Sequence, residues 1–144
     1  QFEQLKTLVA EGRWVIAELP GNKKYRLLYG NDSLIADNQD TIKHLMRLES
    51  IAHTDQPRGL RLAAANREAW LDIDEKTLYQ HQTDLEVRLS EARRTLANLQ
   101  ARLDNPTYIE KAPAHLVEET RQQLAEQEKL IQRFISELDV ISSR

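Results

Sequence analysis

The sequence predicts a mainly α protein with a small α+β head and a long antiparallel two-helix coiled-coil hairpin at the C-terminus. Three observations carry that expectation. Two amphipathic stretches, 74–104 and 114–141, each hold an apolar residue every seven positions. A single short link, 105–113, separates them and contains Pro106 and Pro113. Residues 1–73 instead switch between helical and β-favouring patterns over short runs. The expected divisions are therefore a first helix within 1–22, an α+β module over 23–73, and an arm over 74–144 with its tip at 105–113.

Taken in order, Phe2, Leu5, Leu8, Val9, Val15, Ile16 and Leu19 fall near helical spacing, which predicts an amphipathic helix from Gln1 to about Leu19. Pro20, Gly21 and Asn22 end it. Tyr25–Tyr29 is a short strand-like run closed by Gly30, Asn31 and Asp32. Asp37 or Asn38 suits the cap of a second helix, with Ile42, Leu45, Met46 and Leu48 lining one face up to about Ser50. After a turn around Pro57 and Gly59, Leu60–Ala65 and Glu68–Ile73 read as two strands joined at Asn66 and Arg67. Asp74 is placed to cap the first long helix.

The heptads define the arm. Leu78, Leu85, Ala92 and Leu99 form one row of the first stretch, and Leu89, Leu96 and Leu103 the other. In the second stretch the rows are Val117, Leu124, Ile131, Leu138 and Thr120, Gln127, Phe134, Ile141. A sustained seven-residue repeat keeps one seam facing a partner helix. About 30 residues per stretch span roughly 45 Å at about 1.5 Å of rise each. One continuous helix pairing with another chain is disfavoured, because a proline in a helix interior costs about 3 kcal/mol. The link therefore predicts a turn-back, and with it a device that reaches away from the body carrying it.

Composition narrows the function classes. The net charge of −3 argues against a non-specific DNA binder. From Arg88 to Lys111, however, Arg88, Arg93, Arg94, Arg102 and Lys111 stand against only Glu91, Asp104 and Glu110. Charge alone does not separate a phosphate-meeting patch from solvated flank positions, and both readings stay open here. No apolar run approaches the roughly 20 residues of a membrane span, so no membrane partner is expected. Zero cysteines exclude disulfides and thiolate metal sites and fit a reducing cytoplasm, the expected location. The chain opens at Gln1 in what reads as mid-helix, which predicts a segment of a longer polypeptide.

Signatures of catalysis are missing. The glycines at 12, 21, 30 and 59 are scattered at breaker positions and form no phosphate loop. His44, His53, His81 and His115 never fall at metal-ligand spacing, and Ser33, Ser50, Ser90 and Ser136 lack a nucleophile context. Neither catalytic nor metal-binding residues are expected.

The link is also where a family resemblance begins. Leu103-Asp-Asn105-Pro-Thr-Tyr108-Ile-Glu-Lys111-Ala-Pro113-Ala114, with Val117 and Arg121-Gln-Gln-Leu124 after it, resembles the C-terminal arm of valyl-tRNA synthetases, a class I aminoacyl-tRNA synthetase family. Upstream, Lys23–Gly30, Ile42–Ile51 and Leu71–Asp74 are similar to the family's strand, following helix and the strand entering the arm. The run Gly12-Arg13-Trp14-Val15-Ile16-Ala17-Glu18 departs from the family pattern, with Ile16 where an arginine is usual. Gly12 in that helix should also weaken it, by up to about 1 kcal/mol.

The resemblance implies that 1–22 ends an anticodon-binding helical domain and that 74–144 is an arm lying against the outer corner of tRNA, where the D and T loops meet. It implies a parent that joins valine to tRNA using ATP with magnesium, while this segment needs no cofactor of its own. The expected RNA-contacting residues are Arg93, Arg94 and Arg121, with Arg102 and Lys111 nearer the tip. Arginine fits the task, because its planar fork pairs with phosphate and its face stacks on a base. Arg121 has Glu118 as an alternative partner, Lys111 an alternative role in the turn, and Tyr108 is expected to plug the end of the seam. The expected partner is tRNA and not DNA, bound by a monomer. A different class stays open beside it: a coiled-coil protein–protein interaction module without RNA binding.

Overall fold

The computed structural model describes residues 2–21, 23–62 and 65–143. They form two compact units, 1–82 and 83–144. Helices dominate, with one small four-stranded sheet.

In the first unit, α1 (Phe2–Glu18) buries Leu8, Glu11, Gly12 and Val15, one stripe at helical spacing. β1 (Arg26–Tyr29) follows, then α2 (Ser33–Asp37) and α3 (Gln39–Met46). Next come β2 (Ser50–His53), β3 (Leu60–Arg61) and β4 (Ala69–Asp72). The strand order is β2-β1-β4-β3. β1 pairs parallel with β2, Leu27 beside Ile51, and antiparallel with β4, Leu27 beside Leu71. β3 pairs antiparallel with β4. A parallel pair needs a crossover, and α2 and α3 supply it. Leu27, Ile35, Ile42, Leu62 and Leu71 are fully buried and make the centre of this core.

Several sequence expectations are corrected here. The second helix was expected to run to about Ser50, but α3 stops at Met46 because Arg47 takes the left-handed conformation, φ 56° and ψ 49°. The Leu48 N–H then closes back onto the Lys43 carbonyl at 2.9 Å, a helix-ending turn usually given to glycine. An arginine in that conformation costs on the order of 1–2 kcal/mol. Leu45, expected on the buried face, is 42% exposed. With the helix ended early, Ser50–His53 is free to become a strand that the sequence reading lacked. The strands expected over 60–65 and 68–73 are shorter, and Ala63 and Ala64 lie outside the described residues, as do Gln1 and Asn22 of the first helix and its terminating turn.

Two glycines earn their places by close approach. A Cβ at Gly12 would run into the tip of Met46, so the residue expected to weaken α1 is where α3 packs onto it. Gly59 has φ +82°, and a Cβ there would strike the Leu71 carbonyl of the neighbouring strand.

One polar knot holds the loops of this unit. Asp32 caps α2 by accepting the Ile35 N–H at 3.2 Å. The Arg67 guanidinium donates to both of its oxygens, at 2.9 and 2.8 Å, and to Gln4 Oε1 at 3.0 Å. At the end of the unit Asp74 caps the next helix, accepting the Thr77 N–H at 3.1 Å. Hydrogen bonds from Thr77, its hydroxyl first, hold the Asp74 carboxyl below the usual carboxylate range. Its cap is therefore present above the ordinary value near 4 and is lost only as pH falls through the lowered one.

The second unit contains most of α4 (Glu75–Leu103), α5 (Pro106–Lys111) and α6 (Ala114–Ser142). The two long helices pack together. Leu85, Ala92 and Leu99 are buried on α4; Val117, Thr120, Ile131, Phe134 and Ile141 are buried on α6. Leu89, Leu96 and Leu103 are half-buried, as are Leu124, Gln127 and Leu138. The heptad rows expected from the sequence are thus the covered faces, one row of α4 deeper than the other.

Candidate nucleic-acid interface

The five sequence-selected cations all belong to this helical unit, and all are exposed. Arg93, Arg94 and Arg102 project from α4. At 3.6 residues per turn, nine residues put Arg93 and Arg102 about half a turn apart, on opposite flanks of the buried row. Arg94 points away from that row, about 80° around the helix from Arg102 and about 12 Å along it. Neither Arg93 nor Arg94 has an ion-pair partner among the described residues. Arg121, about two turns into α6, lies 3.9 Å from Glu118, both well exposed, a pair that holds it loosely. Lys111 closes α5, where its charge complements the helix C-terminus. The five exposed cations therefore spread around α4 and onto α5 and α6, and no single face of α4 holds even its own three.

The link between the long helices is itself helical. Asn105 Oδ1 accepts the Thr107 N–H at 3.0 Å, and Pro106 occupies the first helical turn, where its missing N–H is harmless. Ala112 then turns extended and returns its N–H to the Tyr108 carbonyl at 2.9 Å, and Pro113 starts the way into α6. Proline at 106, read from the sequence as a stop, is equally a start.

Tyr108 ties this corner down. Thr120 Oγ1 donates to the Leu116 carbonyl at 2.9 Å. The Tyr108 hydroxyl shares a 2.9 Å bond with Thr120 Oγ1 and reaches the same Leu116 carbonyl at 3.4 Å. The Arg102 guanidinium sits 5.9 Å from the Tyr108 ring centroid, at the outer limit of a cation–π contact. Tyr108 is half-buried and spoken for, so the plug expected from the sequence fits better than a base-stacking platform. Sequence reasoning missed the role of Thr120: its signal was a hydroxyl in a heptad row, twelve residues after an aromatic. Tyr108→Phe is expected to cost about 1 kcal/mol in urea unfolding followed by circular dichroism, and to leave RNA affinity within about twofold. A larger affinity loss with unchanged stability would make Tyr108 a contact residue instead.

Residues 78–141 match the family described as the valyl tRNA synthetase tRNA binding arm. That span runs from the first deeply buried leucine of α4 to the last buried isoleucine of α6. That match covers the arm and somewhat under half of the chain. The similarity continues into the head. A valine–tRNA ligase of Petrotoga mobilis is 28% identical over 98% of the chain, and one of Ruegeria pomeroyi is 34% identical over 64% of it. The chain spans only 17% and 9% of the lengths of those two relatives.

No group of three or more His, Cys, Asp or Glu side chains among the described residues is arranged to hold a metal ion. Among the same residues, no helix is long and apolar enough to cross a membrane.

Proposed function

We propose that this chain is the tRNA-binding C-terminal portion of a valine–tRNA ligase. In this reading residues 74–144 act as an antiparallel coiled-coil hairpin with its tip at 105–113, lying against the outer corner of tRNA. Residues 1–22 close the anticodon-binding helical domain, and 23–73 join it to the arm. The parent enzyme would couple valine to tRNA with ATP and magnesium, and this portion would supply affinity and orientation. The observation that carries the proposal is the family match over 78–141, the stretch occupied by the two long helices and their corner.

The chemistry suits folded RNA. Proteins meet such RNA through phosphates, 2′-hydroxyls and exposed bases. Arg93, Arg94 and Arg121 are the proposed phosphate contacts, with Arg102 and Lys111 nearer the corner. Because Arg93 and Arg102 occupy opposite flanks of α4, one tRNA backbone meets only part of the set. The rival, a coil that recruits a partner helix, would need an unfilled seam. Instead Leu85, Ala92 and Leu99 on α4 and Val117, Ile131 and Phe134 on α6 are already buried within the chain.

Replacing Arg93, Arg94 and Arg121 together by alanine is expected to weaken tRNA binding roughly tenfold at low salt. The slope of log K against log salt should fall by about two to three. Fluorescence anisotropy with a labelled valine tRNA at two salt concentrations measures both. Unchanged affinity and slope would remove these residues from the interface. Sedimentation of the same chain should find a monomer, and self-association would favour the rival.

A further inference from the structure

We infer that the head carries a second, separate RNA-backbone site, a basic concavity formed by α1, the approach to β1 and the end of α3. The inference rests on the tRNA-binding reading above and extends it to residues outside the arm family. The concavity is open, about 560 Å³, and lined by Arg13, Lys24, Lys43, His44 and Arg47, with Asp40 the one carboxylate on its wall. Four permanent cations therefore face one acid on a chain whose net charge is −3. All four are exposed, and none has an ion-pair partner among the described residues.

A bland account exists for part of this cluster. Lys43 and His44 lie in the last turn of α3, where positive charge complements the helix dipole. That account does not reach Arg13 or Lys24, which arrive from other segments. Nor does it explain Arg47. The backbone there is left-handed, at φ 56°, a position where glycine would close the helix without strain. The chain instead places a guanidinium at that corner. Strained residues that persist against such alternatives cluster at functional sites.

The shape argues for a polymer backbone over a small anion. The charged side chains that line the concavity are all exposed, and its volume is several times that of one phosphate group. Spaced, flexible cations on an open floor suit successive phosphates of one strand, whose counterions they release.

The test uses the whole 144-residue chain and a fluorescent valine-tRNA transcript at about 50 mM salt, where phosphate contacts are strong. Arg47→Gly is the informative variant. Its melting temperature should hold or rise, because glycine accepts the left-handed backbone, while affinity should fall about fivefold and the salt slope by about one. Lys24→Gln with Lys43→Gln should lower the slope by about two. The arm triple variant is measured beside them. If the head variants bind like the parent chain while the arm variant weakens, the concavity is overturned and the arm stands. If the head variants weaken and the arm variant does not, the concavity is supported and the arm residues are overturned. Failure of the unaltered chain to bind overturns both. Orthophosphate at matched ionic strength should compete no better than chloride; specific competition would overturn the RNA assignment in favour of a small-anion site.

Discussion

Asp32→Ala should destabilise the head by about 3–4 kcal/mol, as expected when one partner of a buried ion pair is removed. The carboxylate side chain is 6% exposed and that of Arg67 only 20%, so solvent does little to replace either partner. Three bonds go at once: the cap to the Ile35 N–H and both bonds from the Arg67 guanidinium. What remains is a largely desolvated guanidinium with only Gln4 Oε1 to accept from it among these partners. The damage also spreads across sequence, since Asp32 precedes α2 while Arg67 lies in the connection to β4. Asp32→Asn keeps the cap and one acceptor oxygen and should cost less than half as much. The two tryptophans, Trp14 and Trp70, both lie in the first unit, so fluorescence-detected urea unfolding reads this region. A loss below about 1 kcal/mol, the range of an exposed pair, would refute the knot as an organising element.

That knot was not visible in the sequence, for a physical reason. Asp32 and Arg67 stand 35 positions apart, in segments that each read as an ordinary polar turn. The end of α3 failed similarly. Turn signals rely on glycine and asparagine at left-handed positions, and Arg47 carries neither signal. The apolar pattern of Ile42 and Met46 then ran on through Leu48, a buried residue that belongs to the turn and not to the helix. Losing that boundary hid β2, whose Ser-Ile-Ala-His run has little β propensity and is only partly covered. By contrast, β1 and β4 were legible because their buried residues sit in short β-favouring runs flanked by breakers.

The covered faces of the two long helices were legible, because a sustained seven-residue repeat leaves little freedom about which face is covered. Their cations were legible as a list but not as a surface. Helical geometry sends Arg93 and Arg102 to opposite flanks, although they look like neighbours in a basic stretch. The basic concavity of the head was legible in neither sense. Arg13, Lys24, Lys43 and Arg47 come from three stretches of chain, and only the packing of α3 against α1, over Gly12, collects them.

Leu85→Ala should cost the arm about 3 kcal/mol, within the usual span for a fully buried leucine. Leu85 has no exposure, so its truncation opens a cavity within the covered face of α4. Leu96 belongs to the half-buried row, and Leu96→Ala should cost only about 1 kcal/mol, from area alone. Leu85→Met, which keeps volume, should stay within about 1.5 kcal/mol. Circular dichroism at 222 nm follows the change, because α4 and α6 contain 29 residues each and dominate the helical signal. Equal losses at Leu85 and Leu96 would contradict the asymmetry of the seam. The same series separates scaffold from contact. Arg93→Ala and Arg94→Ala touch only solvent-facing positions and should move stability by less than about 0.5 kcal/mol, while lowering RNA affinity and its salt slope. Leu85→Ala should do the reverse, leaving the salt slope of the folded fraction unchanged, since it removes no charge from the surface that meets the phosphates.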